Sequence, residues 1–223
     1  YTHHEIHPSF LLGVMGNQIT YPENNQLPRD LFSCGQSKQA VSLYHTNFNN
    51  RMDKFSVILN YGQIPLVKSR YMKYINNEEH PYGENAIIAI MSYNGYNVED
   101  AVLINKGAID RGLFRTTYFT SYESKEESTE VADSMIDSKF ANILNLENVK
   151  GVKPECDYSH LNEYGLIKEN TEIISKDSSN EKTTLIGKTT FDSDNPSINI
   201  DQSTHTKKGQ MGFVDKSFMT DGD

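Results

Sequence analysis

An α+β fold, rich in irregular β structure, is expected from three features of the sequence. First, Ala40, Val41, Tyr44, Phe48, Met52 and Phe55 recur at spacings of one, three and four, and no Gly or Pro interrupts 36–55 after Gly35. That pattern reads as a long amphipathic helix near 36–55, with Lys38, Gln39, Asn49 and Asn50 on its polar face. Second, Asn85-Ala86-Ile87-Ile88-Ala89-Ile90-Met91-Ser92-Tyr93 reads as a β-run that ends in a turn at Asn94-Gly95. Third, 157–200 carries short apolar stretches at 166–167, 171–174 and 184–190, with loops at 177–180 and 192–196, as in a mostly β subdomain.

The remaining elements follow in order. Residues 5–26 mix short apolar runs with a turn at Tyr21-Pro22-Glu23-Asn24-Asn25, and Pro28-Arg29-Asp30 reads as a helix start. Residues 57–74 read as a strand or extended segment around Pro65 and then a short helix through Tyr71 and Tyr74. His80-Pro81-Tyr82-Gly83 is a turn. Residues 123–146 are charged and lack Pro and Gly, as in a surface helix or a partly ordered stretch, and 212–219 reads as another strand.

Composition sets limits on function. The 223 residues carry a net charge of −9, all of it in the second half. Residues 1–120 hold 10 basic and 10 acidic side chains, against 11 and 20 in 121–223. Every Arg lies at or before Arg115, so phosphate chemistry belongs to the first half. Cys34 and Cys156 stand alone, so no structural zinc site is expected, and two isolated thiols fit a reducing compartment. No run approaches the roughly 18 apolar residues of a membrane span. The opening Tyr-Thr-His-His-Glu has neither the basic nor the apolar part of a signal peptide. Both ends read as cuts through a longer protein.

Four groups of residues carry candidate chemistry. Glu99-Asp100 follows the turn in Gly95-Tyr96-Asn97-Val98-Glu99-Asp100, where carboxylates suit a metal-bound phosphate or form a solvated pair. Arg29 suits phosphate oxygens as a planar fork, or pairs with Asp30 or Glu23. Lys38-Gln39, near an expected helix start, suits a nucleic-acid backbone or an exposed helical face. Asp110 and Arg111 read as an ion pair fixing the turn into Gly112. His3, His4 and His7 lack the spacing of two histidines flanking a glutamate in zinc proteases.

Taken together, and in order, Glu5-Ile6-His7-Pro8-Ser9, Ser37-Lys38-Gln39-Ala40, 47–53, Pro65-Leu66 and 85–115 (ending Asp110-Arg111-Gly112-Leu113-Phe114-Arg115) resemble the second-largest subunit of multisubunit DNA-dependent RNA polymerases, the β subunit in bacteria. The pattern is of the eukaryotic, archaeal or large-DNA-virus type. The resemblance implies that 1–122 is the first part of the hybrid-binding region. It implies that 123–205 is a wall or flap subdomain, on Leu161-Asn162-Glu163-Tyr164-Gly165-Leu166-Ile167 and Ile186-Gly187-Lys188-Thr189-Thr190. Residues 206–223 would return towards the hybrid-binding region, which the chain leaves incomplete.

By the same resemblance Asp100 and Glu99 serve the catalytic magnesium, shared with three aspartates of the largest subunit. Arg29 faces the nucleotide triphosphate, and Lys38 and Gln39 lie beside the RNA. The partners implied are the largest and other polymerase subunits, the DNA template, the RNA–DNA hybrid and ribonucleoside triphosphates, with no membrane. The setting implied is the nucleus in a cellular eukaryote, or a viral factory or virion in a large DNA virus. The chain alone is expected to be inactive. A non-catalytic scaffold, or a decayed polymerase fragment, is the alternative function.

Overall fold

A computed structural model describes residues 1–131, 134–174, 181–193, 195 and 197–221, except for the side chains of Val131 and Ser134. The expected loop at 177–180, parts of the loop at 192–196, and Gly222-Asp223 lie outside them. The chain divides into two compact units, Tyr1–Ser121 and Tyr122–Asp223. Several small sheets and few helices place it in the expected β-rich α+β class. Among the described residues no helix is long and apolar enough to cross a membrane.

In the first unit, helix α1 spans Leu27–Ser37. Pro28 sits in its first turn, where a missing N–H leaves no bond unmade, and Asp30 places negative charge at the positive helix end. This corrects the expected helix at 36–55: the chain leaves α1 at Lys38, runs irregularly, and makes a single 3-10 turn at Phe48–Asn50. The apolar spacing was helical, but Tyr44-His45-Thr46-Asn47 and Asn49-Asn50 are weak helix formers. The side chains instead make short-range bonds that a helix would prevent. Asp53 accepts from Arg51 Nε at 2.9 Å and from the Tyr44 hydroxyl at 2.8 Å.

Strand β1 (Phe55–Leu59) pairs antiparallel with β2 (Thr116–Thr120), Val57 opposite Tyr118. This ribbon joins the two ends of a long excursion. Within the excursion lie a 3-10 turn at Met72–Ile75 and the short helix α2 (Lys106–Asp110), which Asn105 caps by accepting from Ala108 N at 3.0 Å. The run at 85–93 forms no strand, contrary to expectation. A strand exists as part of a ladder, and none of the described residues pairs with it, so Ile87, Ile88 and Ile90 stand exposed. Asp110 and Arg111 form no ion pair. Arg115 donates instead to the Asp110 carbonyl at 3.1 Å.

Among the described residues the second unit has ten strands, and the charged 123–146 stretch supplies strands rather than a helix. A five-stranded sheet contains β3 (Ser128–Val131), β4 (Ser134–Phe140), β9 (Lys188–Phe191), β10 (Asn199–Asp201) and β5 (Val149–Lys150), in that spatial order. Strands β11 (Thr204–His205), β8 (Lys182–Ile186) and β6 (Cys156–Asp157) form a second sheet, and β12 (Gly212–Phe213) pairs with β7 (Glu172–Ile173).

The single run 182–191 thus serves two sheets, and Gly187 is the pivot between them. Its N–H donates to Gly165 O at 2.7 Å, and its carbonyl accepts from Ala141 N at 3.1 Å. A continuous core fills this unit: Ile143, Cys156, Tyr158, Leu161, Ile167, Ile173, Leu185, Ile186 and Val214.

Candidate functional site

The acidic pair sits in the middle of an irregular loop that is fastened at both ends. At its start, Asn85 accepts from Leu66 N at 3.0 Å and donates to Ile64 O at 2.9 Å. Beside it, Glu84 accepts from Phe114 N at 3.1 Å, which ties the strand-side end of the excursion to the far side of α2. Irregular loops of this length inside a compact unit usually carry function.

Within the loop the turn is held by one side chain. Asn97 Oδ1 accepts from Tyr93 N at 2.9 Å, and its Nδ2 donates to Met91 O at 2.5 Å. Two further bonds tighten it, Tyr96 N to Tyr93 O at 3.0 Å and Ala101 N to Val98 O at 3.3 Å. Asn94, Gly95 and Glu99 all adopt left-handed backbone conformations, with φ of 48°, 76° and 60°. Such a conformation is costly for a glutamate, so a closed turn must over-determine it.

Glu99 and Asp100 are exposed, and neither makes a hydrogen bond or an ion pair among the described residues. Their carboxylate oxygens are therefore open to an outside ligand. Magnesium takes hard oxygen ligands and is commonly held by one or two carboxylates plus substrate phosphates and water. The pair fits such a partial contribution. Among the described residues no group of three or more His, Cys, Asp or Glu side chains is disposed to hold a metal.

Arg29 emerges exposed from the first turn of α1, with its guanidinium 5.7 Å from the centre of the Phe32 ring. It lines an open groove of about 610 Å³ together with Phe32, Ser33, Gln36, Ser37, Ala40 and Tyr82. Arg29 forms no ion pair with Asp30 or Glu23. Lys38 and Gln39 are exposed at the exit of the same helix rather than near its start. The Gln39 N–H there is taken by Gln36 O at 3.0 Å, so the two side chains, not free backbone N–H groups, are what this end offers to a ligand.

Arg29 thus lies in the first turn of α1, Lys38 caps its far end and Gln39 follows just beyond. No hydrogen bond or ion pair joins Glu99 or Asp100 to them. Sequence reasoning missed Phe32 and Tyr82 as groove walls and Asn97 as the clamp of the turn. The signal for Asn97 lay in its side chain, which can accept and donate at once beside an Asn-Gly turn.

The comparisons with known proteins agree in direction. Residues 15–222 match the family model described as RNA polymerase Rpb2, domain 6. The chain is 36% identical over 233 residues to DNA-directed RNA polymerase II subunit RPB2 of Encephalitozoon cuniculi, covering 100% of this chain and 19% of that protein. It is 35% identical over 227 residues to DNA-directed RNA polymerase II subunit 2 of Arabidopsis thaliana, covering 99% of the chain and 18% of the relative. Likeness to the DNA-directed RNA polymerase subunit Rpo2 of Sulfolobus acidocaldarius is 35% over 231 residues, 99% of the chain and 19% of the relative. The chain therefore spans about a fifth of the length of these relatives.

Proposed function

Because the chain belongs to the RNA polymerase Rpb2, domain 6 family, we propose that it forms part of the active centre of a DNA-directed RNA polymerase. The observation that carries this reading is the pair of unpartnered, exposed carboxylates on a turn that Asn97 and a left-handed Glu99 hold in place. In nucleotidyl transfer, bound magnesium neutralises and orients the triphosphate. Asp100, with Glu99 beside it, supplies oxygen to the ion accompanying the nucleotide, directly or through water. Arg29 binds phosphate oxygens and stabilises charge on the departing pyrophosphate. Lys38 and Gln39 hold the RNA backbone of the hybrid.

On this reading 1–122 is the first part of the hybrid-binding region, 123–205 the wall-like subdomain, and 206–223 the returning segment. Other polymerase subunits, the largest among them, supply the remaining metal ligands and pair with this chain around template, hybrid and ribonucleoside triphosphate. The site of action is intracellular, wherever that polymerase transcribes. The chain alone does not synthesise RNA, since two carboxylates complete only part of a magnesium coordination sphere.

Asp100→Ala in the assembled polymerase tests the reading. Elongation is expected to slow by roughly 10–100-fold, as for loss of a supporting metal contact, with partial recovery at raised magnesium and with assembly intact. Nucleotide addition at wild-type speed would remove Asp100 from the metal site.

A further inference from the structure

We propose that a hollow lined by Lys68, Ser69, Arg70, Lys73 and Glu78 is a second phosphate-binding site, which takes the backbone of a nucleic-acid strand. It shares no residue with the groove that Arg29 lines and does not include the acidic turn.

The sequence places three of the first half's ten cations within six residues, 68–73. The structure turns all three into one hollow of about 250 Å³. Lys68 is already committed, its Nζ 2.5 Å from Glu78 Oε1. Arg70 and Lys73 are exposed and form no ion pair among the described residues. Lys73 Nζ instead rests 5.0 Å from the centre of the Tyr74 ring, which orients the ammonium without neutralising it. Two unpaired cations facing one cavity repel each other, and an anion between them relieves that cost. A planar guanidinium fork beside a compact ammonium suits a phosphate group.

The hollow also lies beside the buried side chains of the first unit. Met72, between Arg70 and Lys73, is that unit's one buried apolar side chain, and Asn77 is its one buried polar side chain. Met72 N donates to Ser69 O at 3.2 Å, Asn77 N to Met72 O at 3.2 Å, and Tyr82 N to the Asn77 side chain at 3.2 Å. Ser69 accepts from Tyr71 N at 3.3 Å. The cations are therefore mounted on a fixed base, which lowers the ordering cost of binding.

That the phosphate belongs to a nucleic acid rests on the polymerase reading; the cationic hollow does not. The test is equilibrium binding of a labelled single-stranded RNA to the 223-residue chain in EDTA, so that magnesium and Asp100 play no part. Arg70→Ala and Lys73→Ala should each weaken binding by about fivefold. Each should also flatten the slope of log K against log salt by about 0.7 between about 50 and 200 mM. Glu78→Gln, which frees Lys68, should tighten binding, and it guards against misreading a folding defect in Arg70→Ala.

Lys208→Ala, in the other unit, should change nothing. Wild-type affinity and slope in both cation variants would overturn the proposal, as would an equal loss in Lys208→Ala. Free inorganic phosphate competing as well as RNA would assign the hollow to a small anion and overturn the nucleic-acid assignment. Each of these failures leaves the elongation defect of Asp100→Ala standing, so the two readings fail separately.

Discussion

Single residues in the first unit are arranged so that their charges remain unspent. Asn97 closes the turn through two hydrogen bonds, so Glu99 and Asp100 need no intramolecular partner to stay in place. Arg29 is oriented by the face of Phe32 rather than by a carboxylate, which leaves all its donors for a ligand. Losing a charge-assisted contact to phosphate costs about 1.5–3 kcal/mol. Arg29→Ala is therefore expected to lower kcat/KM for nucleotide addition by roughly 10–100-fold in the assembled polymerase. Arg29→Lys should recover part of that, because a point charge cannot reproduce the fork. Single-nucleotide addition kinetics read both, and an unchanged kcat/KM would remove Arg29 from the triphosphate site. The opposite case is Arg51, whose guanidinium is spent on Asp53: the Arg51 and Tyr44 hydrogen bonds hold that carboxyl below its ordinary range.

At the scale of elements, the second unit depends on two glycines that bring three backbones together. Gly165 has φ of +82°, and a Cβ there would lie 2.7 Å from both Ala141 O and Gly187 O. A Cβ on Gly187 would strike Ala141 O as well, and would come within 3.0 Å of a Leu161 methyl. Ala141 O and Gly187 O are backbone atoms, which cannot swing aside. Gly165→Ala is expected to destabilise the unit by about 3 kcal/mol, combining left-handed strain with the clash. Gly187→Ala should separate β8 from β9 by the same obstruction. Chemical denaturation of the variants measures this, and wild-type midpoints would show that the pivot tolerates displacement. The isolated ladder β1–β2 has no comparable pivot. Its cross-strand pairs set its register, with Phe55 and Tyr118 stacked at 6.3 Å.

Across the whole chain the two units differ in how they are held. The second has a closed core, whereas the first buries Met72 alone among its apolar side chains and leaves Ile87, Ile88, Ile90, Val102, Leu103 and Ile104 exposed. Solution stability of the chain should therefore be read mainly from the second unit. Half-buried His205 beside that core is a titratable liability. It packs edge-on to Tyr158 at 5.7 Å, its Nδ1 bonds Thr184 Oγ1 at 3.1 Å, and its Nε2 is buried without a partner among the described residues. Burial, aided by Lys153 and Lys182 and opposed by Asp201 and Glu155, lowers its pKa from the ordinary 6.5.

The unfolded chain thus binds a proton near pH 6.5 that the folded one resists, and stability falls as pH drops through and below that value. The melting temperature should decline between about pH 7 and 5, and His205→Asn should flatten the decline. Equal slopes in the two proteins would place the acid sensitivity elsewhere. Tyr158 pulls the other way: burial and its 2.6 Å bond to Asp201 raise its pKa, which keeps the hydroxyl protonated as a donor.

Local chemistry was readable wherever a residue acts within a few positions of itself. The Asn94-Gly95 turn, the start of α1 at Pro28, and the short strands around Gly187 are all set by conformational preferences of the residues present. The same is true of the order of motifs that marks the family. The helix expected at 36–55 and the strand expected at 85–93 were not readable, because apolar periodicity reports only that a face seeks burial. Whether that face becomes helix, strand or open loop depends on which backbone lies opposite, and among the described residues none offers a ladder to Ile87–Ile90. Likewise, the convergence of Gly165 and Gly187 on Ala141 arises from long-range closure. Closure sets distances between residues that sequence spacing leaves free.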